Sequence, residues 1–86
     1  MGHFVYVLFS PSFKKIYIGY TSDIEKRLAS HNHLSKNGWT VRYRPWELVY
    51  QETFSEKKEA LLREKQLKTV AGREFIWRMV TQKTAK

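Results

Sequence analysis

A chain of 86 residues makes one small domain, and 42% hydrophobic with 15% aromatic residues suffices for a compact core, which argues against disorder. The absence of cysteine excludes a disulfide framework, a cysteine-based zinc site and a thiol nucleophile, while His3, His31 and His33 are too few and too clustered for a structural zinc site. Sixteen Lys and Arg against eight Asp and Glu leave a net charge of +8, which points to a polyanionic partner, nucleic acid foremost.

The opening "MGHFVYVLFS" has no basic lead before a long apolar run, so no signal peptide is expected. No stretch approaches the roughly 20 apolar residues that span a bilayer, and none joins a basic face to a strongly apolar one. The expectation is a cytoplasmic protein without a membrane partner. A protein partner is not indicated.

"HFVYVLF", residues 3–9, is aromatic and β-branched and predicts a strand. "SPSFKK" carries turn residues, and "IYIGY" predicts a second strand, so the short connection makes an antiparallel hairpin. A turn centred on residues 11 and 12 sets Tyr6 across from Tyr17. Alternation then puts Tyr6, Leu8, Tyr17 and Gly19 on one face and the aliphatic Val5, Val7, Ile16 and Ile18 on the other. Tyr20 falls with the aliphatic face and is expected to be packing. Glycine within a strand often marks a close approach.

"TSDIEKRLASHNHLSKNG" predicts a helix, with Ser22 as N-cap, Glu25 three residues on, and Asn37-Gly38 as its end. Arg27 and His31, four apart, share a face of it. Arg27 offers a planar fork suited to phosphate, and His31 a hydrogen bond or a proton. A solvated helix face is the alternative.

"NGWTVRYRPW" reads as a basic loop, because Pro45 disfavours a central strand. Arg42 and Arg44 alternate with Trp39, Tyr43 and Trp46, a pattern suited to phosphate contacts and base stacking; the alternative is that the tryptophans plug the core, Trp46 above all. A third strand follows near residues 47–53, then a helix over 56–68 started by Ser55. Glu64 lies on that helix's apolar stripe with Ala60, Leu61 and Leu67, where a charge needs a partner such as Lys68 at i+4, or a metal. Glu59 sits nearer the flank. Gly72 is expected to break the pattern before a short third helix, "REFIWRMV". The reading is an α+β domain over 1–82, a small three-stranded antiparallel sheet flanked by helices in the order β-β-α-β-α-α, followed by a polar tail at 83–86.

These residues together resemble the GIY-YIG nuclease superfamily. Phe4-Val5-Tyr6 stands for the first signature element and Tyr17-Ile18-Gly19 for the second, with "VLFSPSFKKI" between them at the expected length. "DIEKRLASHN" resembles the family's Arg-and-His helix, and "EALLREKQLK" the helix carrying its glutamate. The likeness covers about residues 3–70 and is closest to the small stand-alone members; it is also similar to the nuclease domain of the Slx-type structure-specific endonuclease. Two positions depart from the pattern: Phe4 stands where the first motif has glycine, and no asparagine follows Asn37, where many members have one near the end of the domain.

The resemblance implies metal-dependent hydrolysis of DNA phosphodiester bonds, with branched, flapped or duplex DNA as substrate in repair or recombination. It implies Tyr6, Tyr17, Arg27, His31 and Glu64 as catalytic residues converging on one groove. Glu64 would hold Mg²⁺ or Mn²⁺, and Tyr6 would act as a phenolate base with a pKa well below the usual value of about 10. Gly19, Lys14, Lys15, Arg42 and Arg44 would contact the nucleic acid. The rival expectations are a non-catalytic nucleic-acid-binding module of the same fold and a protein-interaction domain whose charge serves solubility.

Overall fold

A computed structural model describes residues 2–34 and 42–84. Asn37, Gly38 and Trp39 lie outside the described residues. Strand β1 (His3–Ser10) turns back through residues 11–14 into β2 (Lys15–Thr21), and β3 (Glu47–Phe54) pairs with the other side of β1. The sheet is antiparallel throughout in the order β2-β1-β3. The element order is β-β-α-β-α-α, as the sequence pattern predicts.

The central strand is buried on both sides, and alternation divides the core in two. Val5, Val7, Phe9, Ile16 and Ile18 pack against Ala60 and Leu67 of helix α2 (Lys57–Leu67) and Ile76 and Val80 of helix α3 (Val70–Thr84). Tyr6 and Leu8 face the other way, onto Trp46, Tyr17, Ile24, Leu28 and Tyr43. The faces are those expected, but the hairpin register is not. Tyr6 pairs with Gly19, and Leu8 pairs with Tyr17. The turn is longer than expected, closed by a bond from Lys14 N to Ser10 O at 2.8 Å with Lys14 at φ 56. Each partner moves by two residues, which preserves the face of every side chain. In β3 the register with β1 steps between Val7 and Leu8, so Val49 and Tyr50, though adjacent, both pack on the aliphatic core.

The first helix, α1, is shorter than predicted, Ile24–Ala29, and continues as one π-helical turn, Ser30–Leu34. Its cap is Asp23, one residue later than expected. Asp23 is extended (φ −144, ψ 94), its Oδ1 accepts from Lys26 N at 3.1 Å, and its own N–H donates to Thr21 Oγ1 at 3.0 Å. Helix α2 likewise starts one residue late, with Glu56 rather than Ser55 before it and no side-chain cap. Arg63 Nε reaches Glu52 Oε2 at 2.9 Å, and Tyr50 donates to the same oxygen, tying α2 to β3.

Gly72 does not break the last helix. It lies within α3, which begins at Val70 and runs to Thr84, well beyond the expected segment. A Cβ on Gly72 would stand 2.5 Å from Gln66 O and Leu67 Cα and 2.6 Å from Leu67 O. The glycine therefore lets α3 start directly against the end of α2. The Thr69 hydroxyl joins the two, donating to Gln66 O at 2.7 Å and accepting from Gly72 N at 3.2 Å.

Since the obstructing atoms are all backbone, Gly72→Ala is expected to cost about 2 kcal/mol, seen as a fall in Tm of roughly 10 °C for a domain of this size. An unchanged melting curve would show that the α2–α3 junction is not so tight.

Candidate active site

The site begins where Tyr6 crosses Gly19. A Cβ on Gly19 would lie 2.5 Å from the Tyr6 hydroxyl, 2.6 Å from its Cζ and 2.9 Å from Cε1 of Tyr17. Gly19, expected to contact the nucleic acid, is thus overlain by the Tyr6 phenol and buried. Laid across the neighbouring strand, the Tyr6 hydroxyl reaches His31 Nε2 at 3.0 Å. Tyr17 completes the group, its ring centroid 4.7 Å from that of His31 and 6.2 Å from that of Tyr6.

His31 stands on the π-turn, and the turn is held from outside. Arg44 donates through Nε to His31 O and through a second nitrogen to Ser30 O at 3.1 Å. The Asn32 amide grips the Trp46 backbone both ways: Trp46 N donates to Asn32 Oδ1 at 2.7 Å, and Asn32 Nδ2 to Trp46 O at 3.0 Å. Trp46, only 3% exposed, plugs the core beneath, with its ring edge toward Tyr17. Arg44, expected to contact nucleic acid, thus donates to the carbonyls that carry His31; Arg42 is exposed. Asn32 and Trp46 hold the site together across fourteen residues of sequence, and no local pattern announces such a pairing.

Arg27 is exposed, its charge bears on the Tyr6 phenol, and it lines a cavity of about 430 Å³ with Asp23, Lys26 and Ser30. Glu64 approaches from elsewhere. Helix α2 packs on the aliphatic face, opposite Tyr6, yet the Glu64 charge bears on the Tyr6 phenol. The two faces meet along the edge strand β2. There a groove is lined both by Tyr17 and by Lys68, whose Nζ lies 3.3 Å from Glu64 Oε2.

The protonation balance differs from the expectation. The Tyr6 phenol is pushed well above its ordinary value, chiefly by burial and then by Tyr17; the Arg27 guanidinium pulls the other way, and Glu64 adds to the rise. One exposed cation does not outweigh the desolvation of a side chain that is 1% exposed. His31 is lowered, first by burial and then by Arg27 and Arg44. Both groups are therefore neutral near pH 7. With the His31 proton on Nδ1, Tyr6 donates to Nε2.

Among the described residues no group of three or more His, Asp or Glu side chains could hold a metal ion. Glu64 offers a carboxylate whose pairing with the half-exposed Lys68 is worth about 0.2–1 kcal/mol, weak enough to yield to a divalent cation. An ion that keeps most of its waters and completes its shell with phosphate oxygens fits that donor set.

Residues 2–76 match the model of the GIY-YIG catalytic domain. The chain belongs to the GIY-YIG family. Family membership points to nuclease chemistry on nucleic acid and, in general, to the use of divalent metal ions. Among its relatives, a UPF0213 protein of Staphylococcus haemolyticus is 43% identical over 67 residues, spanning 78% of this chain and 80% of that protein. One from Bacillus pumilus is 42% identical over 68 residues, 79% of this chain and 68% of the relative. The solution structure of a UPF0213 protein from Bacillus halodurans shares the fold, with 28% identity and a TM-score of 0.55 over 92% of this chain and 85% of that one. The relatives' shared name carries no activity. No helix among the described residues is long and apolar enough to cross a membrane.

Two outcomes test the site as described. Gly19→Ala is expected to drive the Tyr6 ring off its seat, so that the His31 ring signals in NMR shift and stability falls by about 1–3 kcal/mol; unmoved signals would mean that the ring does not rest there. His31, with its folded-state pKa below the unfolded value of about 6.5, binds its proton later than the unfolded chain does, so stability is full above that pH and is lost as pH falls below it. The denaturation midpoint should therefore drop from pH 7 to 5, and His31→Gln should drop less over the same interval. An equal drop would show that His31 is not buried neutral.

Proposed function

We propose that this GIY-YIG protein is an endonuclease that hydrolyses DNA phosphodiester bonds with the help of Mg²⁺ or Mn²⁺. The reading is carried by one observation: the Tyr6 hydroxyl lies 3.0 Å from His31 Nε2, with the Tyr17 ring against both.

A phosphodiester repels hydroxide because it is anionic, so the site must neutralise charge, activate water and assist the leaving oxygen. Arg27, exposed and with its charge bearing on the phenol, binds the scissile phosphate and offsets the charge that develops on it. Tyr6 accepts a proton from the attacking water while its own hydroxyl proton passes to Nε2 of His31. This exchange needs no standing phenolate, and it needs His31 neutral, the state that burial and the two arginines favour. As the water oxygen bonds to phosphorus, the bond to the leaving oxygen breaks, and the departing alkoxide takes a proton from solvent while the protonated His31 later returns its own. Tyr17, its ring tilted against that of His31, orients the water or a phosphate oxygen. Glu64 would hold the divalent cation, which supplies charge neutralisation at the phosphate when bound. Lys14, Lys15 and Arg42 contact the flanking backbone in a salt-dependent way.

The rival is a non-catalytic nucleic-acid-binding module. It draws on the raised Tyr6 phenol and on the lack of an asparagine after Asn37. It predicts salt-sensitive binding without cleavage of any substrate.

The deciding experiment is a cleavage panel over branched, flapped, single-stranded and duplex DNA with Mg²⁺ or Mn²⁺. Wild-type protein is expected to nick at least one substrate, and Glu64→Gln to lose about 10³-fold or more while binding DNA almost as before. If Glu64→Gln cuts as well as wild type, the assignment of this carboxylate is wrong.

A further inference from the structure

The edge strand β2 borders a groove of about 510 Å³ that runs from Tyr17 to helix α3. Lys14, Lys15, Lys68 and Arg73 line it, with Trp77 beside them and no acidic residue among its lining. The four cations come from the hairpin turn, from β2, from the end of α2 and from α3, so tertiary folding gathers them. Each is fixed by its backbone rather than left on a free loop. Lys14 has the left-handed conformation, φ 56, that a lysine rarely adopts, secured by the bond from its N–H to Ser10 O. Arg73 donates through Nε to Lys68 O at 3.2 Å, which orients its guanidinium and joins it to Lys68. Trp77 is half-buried, edge-on to Phe9 with ring centroids 6.0 Å apart, and so forms a rigid wall. Four cations along one channel carry a cost in mutual repulsion that a bound polyanion relieves.

Resting on the endonuclease reading above, we infer that this groove is a phosphate-binding track for the nucleic-acid strand flanking the cut, with Lys68 and Arg73 as contacts to its backbone. Tyr17 lies both in the groove and against His31, so a strand in the track passes the ring that adjoins the Tyr6–His31 pair. Lys68 serves both places: a phosphate that engages its ammonium loosens its hold on Glu64, which frees the carboxylate as the strand arrives. Spacing along the sequence pairs Lys68 with Glu64 at i+4, but it does not connect either to Arg73 and Trp77, which stand on the following helix.

The test is fluorescence anisotropy with a short fluorescein-labelled DNA duplex and its single strand, in chelator so that nothing is cut, across about 50–200 mM salt. Arg73→Gln and Lys15→Gln are each expected to weaken binding several-fold and to reduce the slope of log K against log salt by about 0.7–0.9, with the double variant losing about twice that. Arg73→Lys should keep most of the slope, because the charge remains while the bond to Lys68 O is altered. Lys58→Gln, an exposed lysine of α2 outside the groove, is the control for loss of net charge. If the groove variants match Lys58→Gln in affinity and slope while wild type binds, the track is refuted and the endonuclease reading stands. If wild type does not bind either probe, both fall. Thermal melts of each variant confirm that the fold is intact. In addition, the indole N–H signal of Trp77, assigned through Trp77→Phe, should shift as the strand is titrated in; an unmoved signal alongside bound DNA also refutes the track.

Discussion

Because Gly19 has no side chain, the Tyr6 ring can lie across the strand that pairs with it and bring its hydroxyl to His31 Nε2. Other features of the site follow from that crossing. A side chain at this position would overlap the phenol, and the phenol could not both stay buried and touch the histidine. The histidine in turn needs its π-turn held still. Arg44 does this through two backbone carbonyls, and Asn32 through both polar groups of Trp46. A glycine, a buried tryptophan and a distant arginine thus cooperate to place one oxygen.

That oxygen sits in a contest of charges. Arg27 favours its ionised form, but burial, Tyr17 and Glu64 oppose this more strongly. A tyrosine in such a place is a poor standing base and a good conduit. Its proton has somewhere to go, since His31 is kept neutral by desolvation and by two nearby guanidinium groups. If Arg27 binds the phosphate as proposed, the same arginine also helps keep the histidine able to accept a proton. On that reading a bound phosphate would weaken the second effect and couple substrate to proton acceptor through Arg27.

The sheet has only three strands, and its edge strand β2 becomes the meeting line of two layers. On one side lie Tyr6, Tyr17 and His31; on the other, α2 and α3 pack on the aliphatic residues. Glu64 belongs to the helical layer, yet its charge bears on the Tyr6 phenol, and Lys68 beside it pairs with that carboxylate. In a larger sheet this reach across would be blocked. In a domain of 86 residues the edge is close to everything, and a small protein can build a composite site there.

The sequence by itself determined the element order, the two faces of the hairpin and the positive charge, and it displays Tyr6, Tyr17, Arg27, His31 and Glu64 in order along the chain. These are legible because side-chain alternation has a period of two, so that even a register wrong by two residues leaves Tyr6 and Val5 on their proper sides. It could not decide what depends on contact between distant segments. The expected Ser22 cap lost to Asp23 through the Thr21 hydroxyl, and Gly72 proved to be a close approach between helices rather than a break. Arg44, which the sequence offers to phosphate, donates to the His31 backbone carbonyl, a bond no local pattern foretells. The Tyr6 phenol was expected to be acidified by cations, but the desolvation that pushes it upward exists only once Trp46, Leu8 and Tyr17 close around it. Burial is a property of the assembled chain, and here it outweighs the local charge that the sequence displays.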